Sequence, residues 1–521
     1  MTPTSSDAAA IDPPYEITGP QAFGHPQGLF YLFFAELWER FSFYGMRALL
    51  TLYMVEQVFE SLSNRDTVSA IVYSSYGSLV YASPLIGGRI ADQLNGSRQS
   101  ILLGGILMAI GHFVLAVENN IAFFLALAFI IVGNGFFKPN ISTFVGALYP
   151  DGDTRKDSGF TIFHMGINIG AFLSPLICGW LGEKYGWHYG FGLAGIGMLA
   201  GVIVFWSGIK KGVFMNEGLP PDPSKLEETV VGVKRKYWII ILSVVAVPII
   251  ALLLSSYEFI AGGSSIVGEV TIVNVIFYAL SILILGYLSY VIYQLPAEAR
   301  KKMIVAVLLT LFMTLFWGFH ELSGNILTLF SARNVNLRWL NAAQTNALNP
   351  LFIILLAIPI SSLWVFLSKK KINPYTPYKF AAGLGLLGLG YYILFLSGTF
   401  ADDQGKVPFI FLIGTYLFMS LGELFTYPVG LSKITDLSPK TIVAFMMGVW
   451  FLSSAYAFQI VGFVGQKLAI DDMTTKGGDN AFEALSIYTQ GFESIAYVAL
   501  GGAAAVLLLS RLITRWMGNV H

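Results

Sequence analysis

The chain is poor in the side chains that give enzymes and metal sites their chemistry. Among 521 residues there is one cysteine, Cys178, and there are six histidines. A single cysteine excludes an intrachain disulfide framework. No His-Glu-x-x-His, Cys–His pair or Gly-x-Ser-x-Gly elbow occurs, and the His164–Asn168 and His320–Glu321 pairs lack a nucleophile or a third metal ligand. An enzyme is therefore not expected, and neither is a metal or a cofactor. Charge is scarce too: 12% of residues are Asp, Glu, Lys or Arg, against about 25% in a soluble domain. The 31 basic and 31 acidic residues cancel, which removes the electrostatic case for a nucleic-acid partner. The segment from Met1 to about Gln27 is polar and Pro-rich, without a basic stretch leading into an apolar one. It reads as a cytoplasmic tail and not as a cleavable signal peptide.

What the chain has is apolar length. Hydrophobic residues make up 55% of it and the mean hydropathy is +0.67, the composition of a polytopic membrane protein. About 20 apolar residues cross the hydrocarbon. Fourteen spans are expected, near 29–58, 67–94, 99–116, 121–148, 157–183, 188–209, 237–256, 270–293, 301–331, 346–368, 378–399, 407–435, 441–468 and 486–514. The loops on the side of the termini hold roughly 20 Lys and Arg, among them Arg98, Arg155, Lys210, Lys211, Arg300 and Lys369 to Lys371. The opposite loops hold seven: Arg65, Lys184, Arg333, Arg338, Lys406, Lys467 and Lys476. The positive-inside rule then puts both termini in the cytoplasm of a cell (inner) membrane protein.

Residues 211–236 form the longest polar connection. The expected partition is a tail (1–28), an N-terminal six-helix bundle (29–210), a linker (211–236), a two-helix insertion (237–299) and a C-terminal six-helix bundle (300–521). The insertion has almost no ionisable residue inside its spans and reads as a passive hairpin. Two six-helix halves are the signature of a major facilitator transporter, an all-α polytopic fold with its site between the halves.

Into this apolar frame the first span introduces Glu36, Glu39, Arg40 and Arg47. At about 100° per residue they fall on one stripe, with Tyr44 beside it. Each such charge at the bilayer centre costs about 2.5–3.5 kcal/mol, so the four must pair and face a polar cavity. Lys138, followed by Pro139, is a cation in the middle of span four. His164 and Asn168 share a face of span five. His320–Glu321 lies in span seven, and Glu423 reads as an isolated carboxylate in span ten, a natural proton carrier. Trp317 and Trp450 are candidate site aromatics. Gly87-Gly88-Arg89-Ile90-Ala91-Asp92, with Arg98 beyond, allows close helix packing and charge pairing across the loop after span two.

Glu36-x-x-Glu39-Arg40-Phe41-x-Phe43-Tyr44-Gly45 resembles the first-helix motif of the proton-coupled oligopeptide transporter family. The Asn168 segment, Asn349-Pro350, Gly422-Glu423 and Met446-Met447-Gly448-x-Trp450-Phe451 match the same family in order, over nearly the whole chain, and the insertion is similar to that of bacterial members. The resemblance implies proton-driven symport of di- and tripeptides, with no obligate protein partner. It implies a proton-coupling set of Glu36, Glu39, Arg40, Lys138 and Glu321, the last pairing with Arg47. Arg47 and Lys138 would hold the peptide carboxylate, and Glu423 its amino group. Tyr44, Tyr81, Asn168 and Asn349 would hydrogen-bond the peptide, and Trp317 and Trp450 would wall side-chain pockets. His164 stands where relatives carry a tyrosine and Tyr427 where a serine is expected; both would line the cavity and bear on side-chain preference. Plant relatives move nitrate, so uptake of a small non-peptide anion is the alternative.

Overall fold

The computed structural model describes residues 19–150, 153, 155–257, 270–439, 442–471 and 481–518; most of the expected N-terminal tail and Lys476 lie outside them. The fold follows from the apolar runs. With water absent from the hydrocarbon, every backbone N–H and C=O must bond within its own segment, and helices are the open-chain solution. The long helices are α1 (Gln27–Tyr53), α2 (Arg65–Ala82), α3 (Gly96–Leu115), α4 (Asn120–Ala147), α5 (Lys156–Ser174), α6 (Trp187–Lys210), α7 (Arg235–Ser255), α8 (Ile272–Gln294), α9 (Ala297–His320), α10 (Leu348–Lys369), α11 (Thr376–Ser397), α12 (Phe409–Leu437), α13 (Val443–Lys467) and α14 (Ala481–Met517).

Among the described residues, twelve helical stretches are long and apolar enough to cross a membrane. One of them, Arg65–Leu115, folds back at Gly96, whose φ of 69° suits glycine, so it makes two crossings. The other addition is α1, which its four charges disqualify by composition alone. The fourteen helices form a major facilitator architecture with an inserted pair. In the N-terminal half α1 packs on α5 and α6, and α3 on α4 and α6; in the C-terminal half α11 packs on α12 and α14, and α9 on α13. The main seam between the halves is α2 against α13.

Small residues set the closest crossings. Gly104 on α3 and Gly133 on α4 face each other so tightly that a Cβ on either would meet the other's carbonyl oxygen, at 2.5 and 2.6 Å. Pro139 has no N–H to offer Gly135, four residues earlier. Gly87, in the short helix Pro84–Ile90 that continues α2, lies against that carbonyl.

The expected loop pairing of Arg98 takes a different form. Its guanidinium donates to the carbonyls of Phe214 (3.0 Å), Met215 (2.6 Å) and Glu217 (2.6 Å), which strap the linker to the start of α3. Further along the linker, Lys234 and Lys236 donate to Glu227 at 2.8 and 2.5 Å and hold its carboxyl down to about 2. That support is present above the ordinary carboxylate range and is lost as pH falls toward 2. Residues 21–26, expected as tail, form a two-residue hairpin whose His25 bonds Tyr149 at 2.9 Å.

The insertion is not passive. Its α7 packs on α4 of the N-terminal half. Asn274 on α8 caps its own helix through Thr271 and also donates to Gln459 of α13 at 2.6 Å. Gln459 in turn donates to Ser78 of α2 at 2.6 Å. A cavity of about 40 Å³, bordered by Ser74, Asn274 and Gln459, adjoins this relay.

The α3–α4 crossing yields a stability test. Gly133→Val should lower the apparent melting temperature in detergent, consistent with an overpacking cost of about 1–3 kcal/mol. Gly286→Ala, where an added Cβ meets nothing within 4 Å, should leave it unchanged or raise it. Equal melting curves for the two variants would contradict the close-packing account.

Candidate functional site

The charges of α1 are met by partners on three other helices. Glu36 and Glu39 are fully buried, and the Arg40 side chain is 4% exposed. The Arg40 guanidinium donates to the Glu39 carboxylate and lies 3.4 Å from Glu36. Lys138 of α4 donates to Glu36 from 3.2 Å. Two carboxylates and two cations make a neutral tetrad, which is how four charges stand inside an apolar bundle. Glu36 Oε2 has no hydrogen-bond partner among the described residues. The ring of Tyr44 sits between Arg40 and Arg47, each guanidinium 5.8 Å from its centroid.

Arg47 leaves the tetrad and pairs across the two halves. It forms a salt bridge with Glu321 and donates to Tyr73 of α2 at 2.9 Å. One turn on, Thr51 donates to the carbonyl of Gly324 at 2.8 Å. Glu321 can reach α1 because helix geometry tightens after His320, through Glu321–Gly324, before the chain continues as Ile326–Asn334.

Glu423 is not isolated, which corrects the sequence expectation. Its Oε2 lies 3.2 Å from His320 Nε2 and accepts from Asn349 Nδ2 at 3.1 Å. Asn349 also donates to Ser420 at 3.0 Å. Phe316 stacks on the His320 ring, and Trp317 meets the ring edge-on at 5.0 Å. Tyr427 packs edge-on against Trp317.

The remaining candidates divide. His164 lies eight residues inside α5, yet it is exposed, within electrostatic reach of Glu423, Lys138 and Glu36. Tyr427 senses both Glu423 and Tyr44, so both halves converge on one space. Lys138, with 31% of its side chain exposed, opens on the same space. Tyr81 stacks on Phe458 across the α2–α13 seam and lies within reach of Arg47 and Glu321. Asn168 turns its amide back to the His164 carbonyl at 3.0 Å. Trp450 is 1% exposed and fills the slot left by Gly430, against Phe380. In this conformation it belongs to the packing of the C-terminal half and not to the wall of the opening.

Sequence reasoning missed a latch on the face away from the termini. Arg333 makes a two-pronged salt bridge to Asp66, with 2.8 Å between Nη2 and Oδ1, and donates to Tyr488 at 2.9 Å. Asp471 accepts from the backbone N–H of Asp66 at 3.0 Å and from Thr67 Oγ1 at 2.5 Å. Burial pushes its carboxyl above the usual range. Nearby, Glu183 accepts from the Ala343 N–H at 2.6 Å, and Asn341 and Gln344 donate to the carbonyls of Gly179 and Leu176. These contacts tie α2 and the end of α5 to the C-terminal half. The latch bonds are partly buried, with Asp66 almost wholly enclosed, while His164 is exposed and the Lys138 side chain is 31% exposed. No local signal marks the latch, because its residues lie hundreds of positions apart.

Residues 98–476 match the model of the POT family. The chain is 37% identical to the uncharacterized transporter YclF of Bacillus subtilis over 96% of both chains. It is 35% identical to the peptide transporter YePEPT of Yersinia enterocolitica, over 87% of this chain and 89% of that one, and 35% identical to a di-/tripeptide transporter of Lactococcus lactis, over 83% and 88%. The crystal structure of a POT peptide transporter in complex with sulfate superimposes with a TM-score of 0.79 at 35% identity, covering 96% of this chain and 98% of that one.

The latch can be tested directly. Asp66 is almost wholly buried, and removing one member of a buried pair costs about 3–5 kcal/mol. In a Cys178→Ser background carrying Thr51→Cys, Arg333→Ala should speed labelling by a membrane-impermeant maleimide at least about tenfold, the rate equivalent of 1.4 kcal/mol. An unchanged rate would mean that Arg333 does not hold this face closed.

Proposed function

The chain belongs to the POT family, and from that premise we propose that it is a proton-driven symporter of di- and tripeptides. It works by alternating access in the cell (inner) membrane, with both termini in the cytoplasm. The observation that carries this reading is the convergence, on one opening between the halves, of cations from the first half and a carboxylate from the second. A zwitterionic peptide needs both. Arg47 and Lys138 receive its carboxylate, and Glu423 receives its amino group. Tyr44, Tyr81, Asn168 and Asn349 offer hydrogen bonds, and Trp317, His164 and Tyr427 shape the side-chain space.

In the empty site these groups pair with one another, Lys138 with Glu36 and Arg47 with Glu321. A proton arriving from outside neutralises a carboxylate of Glu36, Glu39 or Glu321 and frees its cation for the peptide. Glu36 Oε2 can take a proton without any other bond being broken. Neutralising Glu321 removes a charge pair between the halves, and the bound peptide replaces it with a new bridge from Arg47 and Lys138 to Glu423. Release of proton and peptide to the cytoplasm restores the pairs. The membrane potential supplies about 2.3 kcal/mol per charge per 100 mV. The fourteen crossings and the excess of Lys and Arg on the side of the termini support the orientation.

The test is uptake of labelled dialanine into proteoliposomes under an inward proton gradient, with a protonophore control. Accumulation should be abolished by the protonophore. It should also be lost in Glu36→Gln, Glu39→Gln and Glu321→Gln, with counterflow surviving in at least some of them, since exchange needs no net proton movement. Accumulation retained in all three variants would sink the coupling assignment. Silence with dipeptides and tripeptides, counterflow included, would transfer the function to a small non-peptide anion.

A further inference from the structure

The coupling scheme leaves one titratable group unused. His320 is 6% exposed, its Nε2 lies 3.2 Å from Glu423 Oε2, and its Nδ1 has no hydrogen-bond partner among the described residues. The Glu423 side chain is 20% exposed and that of His320 is 7% exposed, so the carboxylate stands between the imidazole and the opening. The Asn349 amide nitrogen meets the pair as well, donating to Glu423 Oε2 at 3.1 Å and lying 3.2 Å from His320 Nε2.

The groups around the pair can be named helix by helix. From α12 come Glu423 and Tyr427, and from α5 comes His164. Tyr44 of α1 senses Glu423, and Arg47 is occupied by Glu321, the next residue along the chain from His320. On α11, Tyr391 donates to the Phe319 carbonyl at 2.6 Å. The helices α13 and α14 meet this part of α9 through Ile460 and Gly502, and α10 contributes Asn349. Glu423 is thus the carboxylate in direct contact with His320, and no lysine or arginine among the described residues touches it in this conformation.

We propose that His320 is a specificity-determining residue: the peptide's ammonium group displaces the proton held between His320 and Glu423. The proposal rests on the reading of Glu423 as the amino-group site. Two cations flanking one carboxylate in a low-dielectric pocket repel each other. Arrival of the ammonium from the open side therefore expels the proton on the buried side, and it leaves to the water of the opening. No covalent bond other than that N–H changes. Ligands with a free amino terminus are then favoured as pH rises, whereas a ligand with a blocked amino terminus displaces no proton. Discrimination for the free terminus is accordingly set by pH through His320.

The experiment measures the dialanine Kd of the purified full-length protein in detergent from pH 5.5 to 7.5. The set comprises wild type, His320→Gln, His320→Asn and Glu423→Gln, each first shown to be monodisperse. One expelled proton adds up to about a tenfold gain in affinity per pH unit. Wild type should show this component, and both His320 variants should lose it while still binding dialanine. A structural role for His320 would lower affinity equally at every pH, and parallel pH profiles for wild type and either variant would overturn the proposal. On wild type alone, N-acetyl-dialanine competing against labelled dialanine should lack the same component, and an identical slope for the two ligands is a second refuting result. Failure of the underlying reading looks different: Glu423→Gln would then bind dialanine as wild type does at every pH.

Discussion

Every charge inside the bundle must be neutralised in every conformation it visits, and this requirement governs the rest of the structure. The tetrad of Glu36, Glu39, Arg40 and Lys138 meets it within the N-terminal half. The C-terminal half answers it with contacts from His320 and Asn349 to Glu423. Between them, Arg47 and Glu321 meet it only by joining the halves. Both partners are buried, so breaking the pair without replacement would strand two ions. A ligand or a proton that supplies a replacement therefore shifts the balance between conformations by differential binding, with no push required. A site built from pairs of this kind is a switch by construction: Glu36 is shared by Arg40 and Lys138, and Glu321 takes Arg47.

For such a switch to move helices over the span of a bilayer, the halves must transmit a local change as rigid bodies. The contacts between α3 and α4 serve that end. Gly104 and Gly133 bring two backbones together without intervening side chains, and Trp450 locks into the slot at Gly430. Stiff halves concentrate the motion at the seam. There the far face is held by directional contacts: Arg333 with Asp66, Asp471 with Thr67, and Glu183 with the Ala343 N–H. His164 is exposed and Lys138 partly so. The far face is thus closed by several partly buried polar bonds, which opening must disrupt together.

Much of the fold was legible because it rests on local properties. The apolar runs gave the fourteen crossings, with ends within a few residues of those observed once the short helical continuations of α2, α5 and α9 are counted, and the stripe on α1 announced that its charges must find partners. Resemblance to a family then supplied names for those partners. What remained hidden depends on contacts between distant segments. Glu423 looked isolated because its neighbour His320 is 103 positions away, and the helix carrying His320 places that residue and Glu321 toward different partners. Arg333 counted only as one of the cations of the opposite loops, and nothing local singles out Asp66 or Asp471. Trp450 looked like a site aromatic, but the slot beneath Gly430 claims it. The insertion read as passive because apolar composition says nothing about the few polar atoms, on Asn274 and Ser281, that fix it in place.

That insertion bears on how the halves move. Its first helix, α7, lies on α4 of the N-terminal half, and Tyr257 just beyond it meets Phe59 and Phe124 in aromatic contacts. Its second helix, α8, is bonded to α13 of the C-terminal half by Asn274 to Gln459 and Ser281 to Tyr456. The hairpin therefore stands with one leg on each half. Hydrogen bonds are directional and expensive to leave unmade in an apolar medium, whereas apolar contacts are individually weak and tolerate sliding. A rocking of the halves would therefore cost less at the apolar contacts of α7 than at the bonds to α13. Gln459 shares its amide between Asn274 and Ser78 of α2, so the one polar link from this relay to the N-terminal half sits on the seam where the displacement passes. The insertion is thus tied to the C-terminal half by directional bonds and to the N-terminal half mainly by apolar packing, and its few polar atoms make that difference.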